Sequence, residues 1–319
     1  MSQHFLVSAK SRTLSLRAIY AAGEEANYTA FCKLRWEDTA GEPVCPECGS
    51  LSHYKISTRR RFKCADCYRQ YSVTSGTIFA NRKLSFTDLL AGMCLFANAV
   101  KGVSALQFAR DMGINAKSAF VMLHKIREAV ASETKNAKLF GEIEIDGAYV
   151  GGSIRPANLA ENRIDRRRAE HQTGKRRVVV TMRQRGGRTL PFVATSEAHG
   201  VQIATAVAAK GSKLFADEAS HWDALHGTFD TKRINHSVAY SLDGIHTNFV
   251  ESYFSRLRRM IEGQHHHVSV QHLHQYANEA AWKEDHRELA NGALAYRALG
   301  RALNHDRSKY FAGYWHRNG

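Results

Sequence analysis

The sequence predicts an α/β protein in which a small cysteine-rich module and a helical segment precede a larger α/β domain. Three observations carry this. Two Cys-x2-Cys pairs lie within residues 45–67, helical periodicity runs over 84–130, and from 138 the pattern changes to β-rich stretches punctuated by glycine. A chain of 319 residues has length for two or three domains, and 44% hydrophobic residues can bury their cores. The formal charge of +15 and the pI near 9.7 favour a polyanionic partner. The longest apolar run, "LLAGMCLFANAV" (89–100), falls short of the roughly 18 residues of a span and contains Gly92 and Asn98. Nucleic acid is therefore the expected partner and a membrane is not. The first thirty residues show no secretory pattern, which leads us to expect a cytoplasmic protein.

Residues 1–40 form a lead segment in which "TLSLRAIYA" and "YTAFCKLRW" read as short helical pieces. Residues 41–80 hold Cys45, Cys48, Cys64 and Cys67, with fifteen residues between the pairs; Cys32 and Cys94 stand apart. Without an export signal, this spacing reads as a structural Zn2+ site on two knuckles rather than as disulfides. Arg59, Arg60, Arg61 and Lys63 interleave there with Phe62, Tyr68 and Tyr71, a mixture suited to phosphate contact and stacking.

Residues 81–137 read as helices, with Ser85 and Ser104 as N-caps and Gly113 as a break. "VSALQFARDMGINAKSAFVMLHKIREAV" (103–130) has a helix-turn-helix rhythm. Ala105, Phe108, Ala109, Ile114, Ala119, Val121, Leu123 and Ile126 would make its core, and Asn115, Lys117 and Ser118 would point toward a major groove. An ordinary helical hairpin fits the same pattern.

Beyond 138, "EIEIDGAYVGG", "RRVVVTMRQ", "RTLPFVATS" and "SKLFADE" read as strands, "VQIATAVAAKG" and "NFVESYFSRLRRMIEG" as helices. In "GEIEIDGAYVGG" the alternation places Glu142, Glu144 and Asp146 on one strand face, where like charges repel. A divalent cation bound by hard oxygen ligands would make that arrangement tolerable. Asp217, closing a short apolar strand, and Glu251, beside the apolar face Phe249–Val250–Tyr253–Phe254–Leu257–Ile261, could complete its ligand set. Taken singly, Asp146 also fits a turn before Gly147, Asp217 a helix N-cap and Glu251 a solvated helical residue. "RIDRRRAEHQTGKRRVVVTMRQRGGR" adds a second basic zone, with Arg166, Arg167, Arg168, Lys175, Arg176 and Arg177, either on the DNA side or as a solvated loop.

Asp146 in "EIDGAYVGG", Asp217 in "FADEASHW" and Glu251 in "HTNFVESYFSRLRR", followed by "GQHHHVSVQHLHQYANEAAWKEDHR", resemble the DDE insertion-sequence transposases of the ISXO-like, Merlin-related family. The resemblance runs from about residue 40 to 290. It implies an RNase H-like catalytic domain over 138–290, preceded by the zinc ribbon and the helix-turn-helix-like segment, with 291–319 as a tail. Asp146 would lie on the first strand of the sheet, Asp217 at the end of the fourth and Glu251 on the following helix. It further implies catalytic Mg2+ or Mn2+ on these three residues, transposon ends and target DNA as partners, and self-association in the synaptic complex. Arg258, two turns after Glu251, stands where the family often has a DNA-contacting Lys. His246 and Asn248 are alternatives for the third catalytic position, and His266 in the His265–His267 run is an assisting candidate. A nuclease or resolvase of the same fold, or a regulator that only binds DNA, are the other readings the residues allow.

Overall fold

A computed structural model of the chain describes residues 5–151, 157–164, 176–235, 237 and 241–317, and the chain divides into two compact units, 1–133 with 286–319 and 134–285. Arg166, Arg167, Arg168 and Lys175 lie outside the described residues.

The first unit opens with α1 (Leu16–Arg35), one helix where two pieces were expected; it departs from helical geometry at Gly23, between them. The ribbon strands β1 (His53–Ile56), β2 (Arg61–Cys64) and β3 (Gln70–Tyr71) form an antiparallel sheet in the order β1-β2-β3. α2 (Phe86–Asn98), α3 (Ala105–Met112) and α4 (Ala116–Ala131) follow. Ser85 Oγ accepts the Asp88 N–H and Ser104 Oγ the Gln107 N–H, as N-caps do. Gly113, at φ +62°, ends α3 in the left-handed conformation that a side chain would oppose. Phe108, Ala109, Ala119, Leu123 and Ile126 are buried, while Val121 is only half-buried and Met122 is buried instead.

The second unit holds β4 (Glu142–Val150), β5 (Arg177–Gln184), β6 (Thr189–Ala194), α5 (His199–Val207), β7 (Lys213–Ala216), β8 (Asp230–Arg233), α6 (Asn248–Met260) and α7 (Val270–Asp285). Its five strands stand in the order β6-β5-β4-β7-β8. β4, β5 and β6 are an antiparallel meander, and β7 and β8 run parallel to β4. Ile143, Ile145, Val180, Met182 and Leu214 bury one sheet face with Ala204 of α5 and the fully enclosed Trp222. Ala148 and Val179 turn the other way, against Val250, Tyr253, Phe254 and Leu257 of α6 and Ala277 of α7. Phe249 is 38% exposed and lies off that buried face, contrary to expectation, while its neighbour Val250 is fully buried.

The chain then returns to the first unit. α8 (Asn291–Leu303), where the sequence suggested a tail, packs against α1, α2 and α4 and buries Leu294, Leu299 and Leu303. The short α9 (Tyr314–Arg317) closes the chain. No helix of the described residues is long and apolar enough to cross a membrane.

Candidate active site and zinc centre

The four cysteines are the one group among the described His, Cys, Asp and Glu residues whose ligand atoms all lie within 4.8 Å of one another. Cys45 and Cys67 Sγ are 3.6 Å apart, Cys48 and Cys64 Sγ 3.5 Å. A tetrahedron of thiolates about 2.3 Å from a central ion has edges of about 3.8 Å, so the set fits Zn2+. The Cys67 backbone N–H, 3.5 Å from Cys64 Sγ, and that of Asp66 pull the Cys64 thiol down to about 6, which favours the thiolate a metal needs. Trp36, Phe62 and Tyr71 pack edge-on beneath the knuckles.

Phe62 and Tyr71 are therefore core residues and not stacking platforms; Tyr68 is the exposed aromatic, 69% accessible. Arg60 is held by Glu24 and Glu25 and lies over the Tyr28 ring, so its charge is already matched. Arg59, Arg61 and Lys63 are exposed. On α4, Asn115 Oδ1 accepts the Lys117 N–H at 2.8 Å and caps the helix, a duty that occupies the side chain expected to read bases. Lys117 and Ser118 are exposed beside it.

In the second unit β4 lies parallel to β7 in a register that pairs Glu144 with Phe215. Two residues further along each chain come Asp146, within β4, and Asp217, just past the end of β7, and the Asp217 charge acts on Asp146. Asp146 accepts the Gly147 N–H at 2.6 Å, and Asp217 Oδ1 the Ala219 N–H at 3.1 Å, so Asp217 also ties down the turn that follows its strand. α6 brings Glu251 to the same sheet face, where Thr247 Oγ1 donates to Glu251 Oε1 at 3.2 Å. Burial, followed by the charges of Asp217, Glu197 and Glu251, raises Asp146 to about 8.

Glu197, in the turn between β6 and α5, escaped sequence reasoning because it sits in no recognisable motif. Its side chain lies so close to Gly147 that a Cβ there would come within 2.2 Å of Glu197 Oε1. Gly147 is thus the residue that lets this carboxylate in, and the D-G pair was its only trace in the sequence. Burial and the neighbouring Asp217 push Glu197 up to about 7. His221 also feels Asp217, though burial is the larger influence and lowers its pKa. The carboxylates stand further apart than the cysteines, since no acidic group meets the 4.8 Å spacing among the described residues.

The other two acids of the β4 face have a different explanation from the one expected. Glu144 is fully buried, and Arg185 Nε donates to its Oε1 at 3.0 Å, while Arg185 Nη1 donates to Glu142 at 3.1 Å. Glu144 Oε2 accepts the Phe249 and Val250 N–H groups at 2.9 and 3.1 Å, the open donors at the start of α6. An arginine and a helix terminus, not a metal ion, therefore neutralise Glu142 and Glu144. His246 belongs to the same group, with Nδ1 3.0 Å from Glu144 Oε1, and so serves Glu144. Asn248 is exposed at the first position of α6, one turn before Glu251; Arg258 is exposed two turns after it, 5.9 Å from the Phe254 ring centre. His266 is exposed at φ +57° after the π-helical turn Ile261–His265. Arg176 lies over the Tyr149 ring at 4.2 Å, and Arg177 is half-buried on β5.

Comparison with known proteins places these two sites in one context. The family model described as the ISXO2-like transposase domain matches residues 138–285, and the one described as the transposase zinc-ribbon domain matches residues 22–70. No curated protein and no solved structure matches the chain. The two matches together span more than half of the chain and coincide with the acidic sheet and the cysteine knuckles, and the chain belongs to the family of insertion-sequence transposases that join an ISXO2-like transposase domain to a zinc ribbon.

Proposed function

We propose that the protein is a DNA transposase of the DDE type, in which an RNase H-like domain cuts transposon ends and joins them to target DNA. The observation that carries this is the convergence of negative charge on Asp146 of β4, which feels Asp217, just past the end of the parallel strand β7, together with Glu197 and Glu251. The strand order, third-second-first-fourth-fifth with the second antiparallel, supports the RNase H-like reading.

Asp146, Asp217 and Glu251 would hold Mg2+ or Mn2+, since carboxylate oxygens are the ligands these hard cations take. The cation supplies Lewis-acid polarisation of the scissile phosphate and an activated water or 3′-hydroxyl. The chain's own part is positional. Glu144 and Arg185 seat the start of α6, Thr247 orients Glu251, and Gly147 admits Glu197 as a fourth carboxylate. Arg258, exposed two turns after Glu251, would contact DNA phosphate, and Asn248 lies one turn before Glu251.

The zinc ribbon and α4 form the DNA-binding unit, through Arg59, Arg61 and Lys63 on the ribbon and Lys117 and Ser118 on α4. Two ends must be processed together, so the protein is expected to self-associate on DNA.

The experiment is cleavage of a duplex bearing the inverted repeat that flanks the coding region. Mg2+-dependent nicking, lost by at least about 10²-fold in Asp217→Ala with DNA affinity retained, is the expected result. Binding without any cleavage by the unaltered protein would reduce it to a DNA-binding regulator. Cleavage without strand joining would make it a nuclease.

A further inference from the structure

Two adjoining cavities in the first unit are explained by neither the zinc centre nor the acidic sheet. One, of about 450 Å³, is walled by Phe79, Phe311, Tyr314 and Trp315 together with Lys117 and Lys125. The other, of about 370 Å³, is walled by Arg59, Arg61 and Arg307 and by the hydroxyls of Ser72, Thr74 and Ser75. Ala80, Asn81, Arg82 and Arg307 line both, so the two share a wall. No Asp or Glu lines either one.

Their chemistry differs in a way that suits the two parts of one ligand. The larger is of a size that encloses small organic groups, within about 300–1,000 Å³, and over a buried floor of Phe79 and Phe311 it presents the half-buried Tyr314 and the exposed Trp315, which suit a planar ring. Trp315 is fixed by its indole N–H, which donates to the Lys117 carbonyl at 3.3 Å, yet its side chain remains 43% exposed. The smaller cavity offers guanidinium groups and hydroxyls, the donors that hold a phosphate. Arg59, Arg61 and Arg307 make no ion pair among the described residues, whereas Arg60 beside them is held by Glu24 and Glu25. Lys125 is half-buried, and its ammonium is disfavoured by burial and by the Arg307 charge, with Glu128 opposing. An anion nearby would relieve that crowding of positive charge.

We propose that these cavities together hold one unpaired nucleotide of a DNA strand, its base against Tyr314 and Trp315 and its phosphate among Arg59, Arg61 and Arg307. The proposal rests on the reading that this unit binds DNA, and it adds that a nucleotide outside the duplex stack is part of what is recognised. A paired base keeps both faces inside the stack, so only an extruded or single-stranded one can enter. Lys117 and Ser118, which line the aromatic cavity from the start of α4, place it beside the helix expected to face the duplex.

The test is fluorescence anisotropy with the full-length, zinc-loaded protein on a blunt duplex and on the same duplex carrying a short unpaired tail, with a deoxynucleoside monophosphate as competitor. Tailed DNA is expected to bind more tightly than blunt. Trp315→Ala should weaken tailed binding by about 5- to 150-fold, the worth of one stacked base, and leave blunt binding unchanged, while Trp315→Phe should retain the preference. Arg307→Gln should also weaken tailed binding and reduce its salt slope by about one. Equal affinity of the unaltered protein for the two duplexes overturns the proposal. So does an equal loss on both in Trp315→Ala, which marks a structural role. Displacement by the monophosphate at concentrations far below those needed on blunt DNA supports the cavity chemistry, whereas tight monophosphate binding without any tail preference overturns the strand as its source. Failure to bind either duplex strikes at the DNA-binding reading itself.

Discussion

Asp146 is held where it does not readily carry its charge. Burial and three neighbouring carboxylates raise it to about 8, far above an ordinary aspartate. A carboxyl with a raised folded pKa keeps its proton in the folded chain where the unfolded chain has already released it. Its contribution to stability is complete below about pH 4 and is lost as pH rises toward 8. We therefore expect the melting temperature in Mg2+-free buffer to fall between pH 5 and pH 8, with a slope of at most about 1.4 kcal/mol per pH unit from this group. Asp146→Asn should flatten that decline, and a melting temperature insensitive to the substitution would show that the repulsion is absent. A divalent cation held there would invert the effect, because it favours the ionised form. Glu197→Gln should lower Mn2+ affinity by about 10- to 100-fold in titration calorimetry, as outer ligands commonly do. Gly147→Ala should do the same, since the added methyl takes the space of the Glu197 carboxylate.

Helix α6 is positioned from outside itself. Its N-cap, Thr247, makes no side-chain capping bond. The first donors are satisfied instead by Glu144 from the middle of β4, which Arg185 from the far end of β5 holds in place. On the same sheet face, Arg183, the cross-strand partner of Glu144, donates to the Phe249 carbonyl at 3.0 Å and to Glu284 of α7 at 3.1 Å, tying both helices to β5. Glu144→Ala would leave Arg185 Nε and two helix N–H groups without their acceptor inside the protein, although Glu142 still accepts from Arg185 Nη1. A loss of about 3–5 kcal/mol is expected in urea unfolding of the full chain, the usual cost of breaking a buried pair from one side. Cleavage should fall with it, because Glu251 rides on the element that slips. A stability change under about 1 kcal/mol would show that α6 is held by its apolar face alone.

Each of the two units has its own core, and the four-cysteine site lies in the first. The three ribbon strands bury little beyond Phe62 and Tyr71, which pack with Trp36, too small a core to hold two knuckles closed without a metal. Chelation of zinc should therefore abolish DNA binding and remove a low-temperature transition in calorimetry. The transition of residues 134–285, whose sheet is covered on both faces, should persist. Loss of both transitions together would refute this division of stability. The net charge of +15 makes binding to any duplex fall steeply with salt, so comparisons among variants belong at one ionic strength.

The cysteine spacing alone determined the ribbon, because four thiols at two fixed short intervals have few other uses. Periodicity placed β4 through β7 and α6, and the caps Ser85 and Ser104, since these depend on residues a few positions apart. What only the tertiary structure decided are relations between distant parts of the chain. Glu142 and Glu144 looked like metal ligands until Arg185, some forty residues on, proved to neutralise them. Asn115 became a cap, Arg60 the partner of Glu24 and Glu25, and the C-terminal stretch, readable as helical but expected as a tail, packs on α1 and α2. Glu197 entered the acidic cluster through the gap that Gly147 leaves. The physical reason is common to all of them. Local pattern specifies which face of an element is apolar, but the charge a buried group meets depends on what folding brings opposite it.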